Sequence, residues 1–280
     1  MEDEPQCEKT QYQDEGGIHN WIPVVQMTFI IAEAGVNHGG SYERAQRLVD
    51  AAKAANADAV KFQLFRSQDL WGDDRIAHLE LSADHMAKVY DHCIQVGIEF
   101  LCTPFGITEL AWVKKHCASL KIASGCITRH DLLRAAKATG LPVILSTGMA
   151  TYDDIRSALL ILGKEMTTLL HCTSAYPAPP DQLNLRAMEA MRYFGCPVGY
   201  SDHADGILAS VAAAAMGAEV IEKHLTLDRN AVGPDHKASI EPDQFALMAK
   251  QIRLVEMMLG SREKYVQPCE MPVYQQWRAQ

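Results

Sequence analysis

The chain has 280 residues, 48% of them hydrophobic, and a formal net charge of −9 at pH 7. That is enough apolar material for one large core in a single domain. An acidic chain without Lys/Arg runs argues against nucleic acid or an anionic membrane as a main partner. Any phosphate site must therefore be local. The apolar runs at 141–145 and 210–216 are far too short to span a bilayer.

The N-terminus, MEDEPQCEKTQYQDEGG, is polar and acidic, unlike a secretory signal. With no CxxC spacing, the eight cysteines read mostly as reduced core residues of a cytoplasmic protein. Residues 1–20 read as a poorly ordered extension, 21–265 as the folded body and 266–280 as a tail.

Within the body, strands and helices alternate. After a short strand expected at Ile22–Val25, strands are expected at 28–35, 59–65, 99–105, 120–124, 142–148, 168–176, 197–203 and 219–225. Helices are expected at 42–55, 82–96, 106–116, 129–139, 152–162, 183–193, 206–216 and 243–259, with Ser41 and Ser82 as N-caps. Residues 66–81 read as a polar loop. Strand–helix alternation means a parallel sheet covered by helices. Eight such units match a (β/α)8 TIM barrel. An open doubly wound sheet is the alternative, weakened by the lack of a GxGxxG turn.

In such a barrel, chemistry sits at the C-terminal strand ends. Those ends carry Glu33 with Asn37 and His38, Lys61 with Gln63, Thr103, Lys121 with Ser124, and Ser146 with Thr147. The remaining ends carry Thr173, Ser174 and Tyr176, then Ser201, Asp202 and His203, then Glu222, Lys223 and His224. His203 and His224 each lie two residues beyond a polar residue, Ser201 and Glu222. A strand's period of two puts each pair on one face. Adjacent strands would bring the imidazoles together, which suits a divalent metal with open positions or, alternatively, two hydrogen-bonded core histidines. Lys61 and Lys121 are embedded in apolar strands, where a lysine needs a partner. With Thr103, Ser124, Ser146 and Ser201 they read as a phosphate cradle, or as ion pairs with Glu33 and Glu222. Phosphate, metal and carboxylates together suit joining a phosphorylated nucleophile to a carbonyl compound.

Nine blocks in order resemble the N-acetylneuraminate (sialic acid) synthase family. They are AEAGVNHGG (32–40), AVKFQ (59–63), TPF (103–105), KIASG (121–125), STGM (146–149), HCTSAYP (171–177), GYSDH (199–203), EKHLT (222–226) and GPDHKAS (233–239). The resemblance implies a barrel that condenses phosphoenolpyruvate with the aldehyde form of an N-acetylated sugar such as N-acetylmannosamine. The products would be a nonulosonic acid and phosphate, formed with C–O cleavage. It also implies that His203 and His224 hold Mn2+ or Mg2+. By the same likeness Lys61, Thr103, Lys121, Ser124, Ser146 and Ser201 grip phosphoenolpyruvate. Gln63, Tyr176 and Asp235 contact the sugar, and Glu33 and Glu222 are the catalytic carboxylates, Glu33 also meeting the sugar.

Three departures stand beside the likeness. Cys126 replaces an acidic residue, the segment 66–81 has no Asn, and the family's C-terminal antifreeze-like domain is not matched. The alternatives are condensation with another aldehyde on the same barrel, or a non-catalytic barrel that binds phosphoenolpyruvate or a sugar acid. Partners are expected to be small molecules, with no nucleic acid or membrane, and a homodimer through the outer helices stays open.

Overall fold

The computed structural model describes residues 27–278. The extension at 1–20 and the strand expected at Ile22–Val25 lie outside the described residues. Eight strands are present: β1 (Phe29–Gly35), β2 (Ala59–Leu64), β3 (Glu99–Pro104), β4 (Leu120–Ile122), β5 (Val143–Ser146), β6 (Thr167–His171), β7 (Val198–Asp202) and β8 (Val220–His224). Every ladder between them is parallel, and their order is β3-β2-β1-β8-β7-β6-β5-β4. The two ends of that order, β3 and β4, lie against each other, so the sheet curls into a (β/α)8 barrel and is not an open sheet.

The helices are α1 (Tyr42–Ala54), α2 (Ser67–Trp71), α3 (Ala83–Val96), α4 (Ile107–His116), α5 (His130–Thr139), α6 (Tyr152–Leu162), α7 (Ala187–Met191), α8 (Leu208–Ala215) and α9 (Pro242–Leu259). Ser41 and Ser82 cap α1 and α3 as expected, accepting from the backbone N–H groups of Arg44 and His85. The described residues from Ser261 form a separate unit, a 3-10 turn at Pro268–Glu270 and helix α10 (Met271–Arg278). No helix among the described residues is long and apolar enough to cross a membrane.

Three segments differ from expectation. The segment 66–81 is not all loop but holds α2 and a 3-10 turn at Ala77–Leu79. Its Ser67 hydroxyl donates to the Asp73 carbonyl, closing a turn that composition alone does not reveal. Strand β6 stops at His171 instead of reaching Tyr176, because the next backbone groups are taken elsewhere. The Thr173 carbonyl accepts from His203, and the Ala178 N–H bonds the His203 carbonyl. Prolines 177, 179 and 180 add no N–H to a ladder. The helix expected at 183–193 shrinks to α7 plus a 3-10 turn at Arg192–Phe194, since Asn184 sits in the left-handed region at φ 46°.

Alternation along each strand sorts the residues. Ile31, Ala59, Leu101, Ile144, Leu170 and Val220 pack together as an apolar plug inside the barrel. Two residues further along five of these six strands, the interior becomes polar: Glu33, Lys61, Thr103, Ser146 and Glu222. The intervening residues, such as Ile30, Val60, Phe62, Ile122, Leu145 and Ile221, belong to the larger core that includes the helices. Truncating plug residue Leu101, which is fully buried, to Ala costs about 2–5 kcal/mol.

Candidate active site

A cavity of about 590 Å3 opens at the C-terminal strand ends, the size of a small-molecule site. At its floor Lys61 reaches Glu33 Oε2 at 2.6 Å, Glu222 Oε2 at 3.5 Å and Thr103 Oγ1 at 3.1 Å. Lys121 donates to Ser146 Oγ at 2.6 Å and comes no closer than 3.9 Å to Glu222. Ser201 donates to Glu222 Oε1 at 2.8 Å, and Gln63 Nε2 donates to Glu33 Oε1 at 3.1 Å. All these charges are at most 5% exposed, so two cations and two anions balance in a low-dielectric space.

Burial favours neutral forms, and the partners decide the outcome. Burial acts to raise the Glu222 carboxyl, but Lys121, Lys61 and the Ser201 hydroxyl outweigh it and hold it well below the usual range. For Lys61, burial is outweighed by Glu222 and Glu33, which keep its ammonium charged. Lys121 is different. Burial lowers its pKa, and Glu222 only partly offsets that. An arriving anion would therefore find Lys121 less neutralised by carboxylates than Lys61.

Beside this floor the registers Ser201↔Glu222 and Asp202↔Lys223 bring the ends of β7 and β8 level. The rings of His203 and His224 lie 5.5 Å apart, centroid to centroid. His203 Nδ1 is 2.8 Å from the Thr173 carbonyl oxygen. A carbonyl only accepts, so the proton sits on Nδ1 and the neutral ring keeps a lone pair at Nε2. Burial, then His224, push this imidazole down to about 4. The His224 Nδ1 atom is buried without a hydrogen bond, 3.7 Å from Asp235 Oδ2. Tyr176 stacks obliquely at 4.3 Å from the His203 ring.

Two imidazoles, one oriented by a backbone carbonyl and one with an unsatisfied nitrogen, fit a divalent ion. Among the described residues no group of three or more His, Cys, Asp and Glu is arranged to hold a metal. The pair would supply part of a coordination shell and leave positions open.

Asp235 is brought here by a long-range latch. Asn37 Nδ2 donates to the Leu225 carbonyl and to Ser239 Oγ, both at 2.9 Å, and Ser239 donates to the Asp235 carbonyl at 2.7 Å. Gly35 makes room for the carboxylate. Its φ is +52°, it sits at a register shift between β1 and β2, and an added Cβ would stand 3.0 Å from Asp235 Oδ2.

Every residue expected at the site lines this one cavity: Glu33, Lys61, Gln63, Thr103, Lys121, Ser124, Ser146, Tyr176, Ser201, His203, Glu222, His224 and Asp235. Ser174 lines it too, whereas several other polar residues at the strand ends do not. Asp202 and Lys223 point the other way and pair with each other at 3.2 Å. His38 is fully buried behind the wall. Cys126 also sits in the apolar core and does not line the cavity, although Gly125 does. Burial raises its thiol pKa and Arg129 offsets this only in part, which keeps it protonated and inert. Sequence reading missed an apolar wall at the mouth, Val36, Phe65, Leu70, Ile76, Leu79 and Phe105. Its only sequence signal is that three of these follow strand ends directly, where they look like ordinary core.

A second, larger groove of about 920 Å3 lies at the opposite end, between α1 and α9. Its one carboxylate, Asp58, is held by Arg253 at 2.7 Å, and it offers no reactive pair.

Comparison with known proteins agrees with this geometry. The NeuB family model matches residues 48–264. An uncharacterised protein of Methanocaldococcus jannaschii is 43% identical over 256 residues, covering 88% of this chain and 76% of that one. The N,N'-diacetyllegionaminic acid synthase of Legionella pneumophila is 39% identical over 273 residues, covering 88% and 77%. The crystal structure of a sialic acid synthetase from Leptospira borgpetersenii, in complex with citrate, superposes with a TM-score of 0.85 at 36% identity, covering 90% and 92%. A barrel whose interior turns from an apolar plug to interlocked lysines and glutamates thus sits on a chain that belongs to the NeuB family and is a synthase-type enzyme.

Proposed function

We propose that the enzyme condenses phosphoenolpyruvate with the open-chain aldehyde of an N-acetylated sugar of the N-acetylmannosamine kind, giving a sialic-acid-type nonulosonic acid and phosphate. One observation carries this reading: Lys61, Lys121, Glu33 and Glu222 interlock on the cavity floor, directly beside the His203–His224 pair. The donor set suits phosphoenolpyruvate. Lys121 meets a carboxylate only at 3.9 Å, at Glu222, and donates to Ser146, while Ser124, Ser201 and Thr103 add hydroxyls to the same cavity. Lys61 then acts between the two glutamates and the bound anion.

In the reaction C3 of phosphoenolpyruvate bonds to the aldehyde carbon. Water adds at C2 and its oxygen becomes the keto oxygen. The C2–O bond to phosphate breaks, and phosphate leaves with the electron pair. The two protons of that water end on the aldehyde oxygen and on the departing phosphate. Glu222, held ionised by its neighbours, takes the proton from water. Glu33, tied to Gln63 and Lys61, faces the sugar with Tyr176 and Asp235. Mn2+ or Mg2+ held by His203 and His224 would polarise the aldehyde carbonyl. Barrel walls around the floor exclude bulk water and so strengthen each of these contacts.

The proposal extends to a cytoplasmic enzyme of small molecules. The test is phosphate release from phosphoenolpyruvate with added Mn2+ against a panel of aldoses headed by N-acetylmannosamine. Release that needs both sugar and metal is expected. Absence of release with every aldose would sink the condensation.

A further inference from the structure

Strands β4 and β6 are not neighbours, because β5 runs between them. Yet two side chains meet over the end of β5. Ser124 opens the 3-10 turn Ser124–Cys126 after β4, and Cys172 follows the last residue of β6. Ser124 Oγ lies 3.2 Å from Cys172 Sγ. Gly148, two residues past β5, lets them meet. A Cβ there would stand 2.9 Å from each of those two atoms and 2.2 Å from Ser174 Oγ. The Gly148 N–H also donates to Ser124 Oγ at 3.0 Å.

These contacts constrain the Ser124 hydroxyl. Its oxygen can accept twice, and the Gly148 N–H fills one place. Burial raises the Cys172 thiol, with Ser124 and Lys121 offsetting that only in part, so the sulfur keeps its proton at neutral pH. Given to Ser124 Oγ, that proton fills the second place. The Ser124 proton then has no partner among the described residues and is left for the cavity, which Ser124 lines together with Lys121 and Ser146. Cys172 does not line that cavity. It borders a separate one of about 390 Å3, with Thr147 and His171, so it acts through Ser124.

We propose that Cys172 is a positioning residue for the donor substrate: its S–H holds the Ser124 oxygen as an acceptor and so aims the Ser124 proton at the phosphoenolpyruvate anion. This rests on Ser124 being a phosphoenolpyruvate contact, as in the condensation reading above.

A double-mutant cycle tests it without turnover, read by calorimetric binding of phosphoenolpyruvate to the full chain with Mn2+. Cys172→Ala should raise Kd by roughly 2- to 12-fold, the scale of one neutral hydrogen bond. Cys172→Ser keeps a donor and should stay within about 2-fold of wild type. In a Ser124→Ala background, Cys172→Ala should add less than about 2-fold, because the proton it aims is gone. Cys172→Val, of similar size and without a donor, takes its place if Cys172→Ala does not fold. Equal effects of Cys172→Ala in both backgrounds, or a Cys172→Ser as weak as Cys172→Ala, would make the thiol ordinary packing and overturn the inference. A wild-type chain that does not bind phosphoenolpyruvate overturns it too. Phosphate release judges the condensation separately: if release fails while the coupling between Cys172 and Ser124 persists in binding, the condensation alone falls and the inference stands.

Discussion

Asp202 and Lys223 are register partners on β7 and β8, and their side chains form a wholly buried ion pair facing away from the cavity. Their neighbours Ser201, His203, Glu222 and His224 all line the cavity. The pair thus ties the outside of the wall whose inside carries the proposed chemistry. Asp202 also accepts from the α8 hydroxyl of Ser210 at 2.6 Å and from the Ala204 N–H at 2.8 Å. Lys223→Met would leave that carboxylate buried and uncompensated, a loss of about 3–5 kcal/mol. Urea unfolding checks the cost. Turnover per folded molecule should stay near normal, and a selective loss of turnover with full stability would put Lys223 in the reaction.

Lys121 is the cation with the least carboxylate contact on the floor. Removing it in Lys121→Ala deletes a charge-assisted contact to the proposed donor substrate, a loss of about 1.5–3 kcal/mol or roughly 10- to 150-fold. The phosphoenolpyruvate requirement should rise by that factor. An unchanged dependence would make Lys121 a purely structural lysine.

The two imidazoles can be tested without turnover. His203→Ala and His224→Ala should each weaken Mn2+ binding, read by calorimetry or by the free-ion electron paramagnetic resonance signal, by about 10-fold or more. Thermal unfolding in the absence of metal should show the fold intact. Wild-type Mn2+ affinity in either variant would end the metal assignment.

Asn37 and Ser239 do not line the active-site cavity, yet they fix the segment that carries Asp235. Asn37→Ala should raise the KM for the sugar by about 5- to 30-fold, the scale of one or two buried hydrogen bonds, and leave the KM for phosphoenolpyruvate alone. Ser239→Thr, which keeps the hydroxyl, should be milder than Ser239→Ala. Equal effects on both substrates would mean the latch supports the fold in general.

Acid should weaken the fold in a defined window. Burial, helped by Arg44, pushes His38 down to about 4, and burial with His224 does the same to His203. In the unfolded chain both protonate near about 6.5. Between these values the unfolded state binds more protons, so stability falls as pH drops from about 6.5 to about 4 and is level above that. Each ring contributes up to ~3 kcal/mol. His38→Gln should remove one ring's share of the slope. Unfolding midpoints measured from about pH 7.5 to about 4.5 would refute this by showing no difference between variant and wild type.

Much of this was legible because a strand's period of two is set by the backbone itself. Once 197–203 and 219–225 are read as strands, Ser201 with His203 and Glu222 with His224 must share a face. Eight strand–helix units favour closure over an open sheet, and the buried lysines require partners. The sequence could not say which of two adjacent polar residues faces inward, because Asp202 and Lys223 look as reactive as their neighbours. Nor could it place Cys126 behind the wall, join Leu70 and Ile76 into an apolar mouth, or stop β6 at His171. The hydrogen bond from Asn37 to Ser239 spans 202 residues. Local pattern fixes which residues can share a face, since it depends only on backbone geometry. Which faces meet depends on ladder registers and loop hydrogen bonds between distant segments, and these form only when the whole barrel closes.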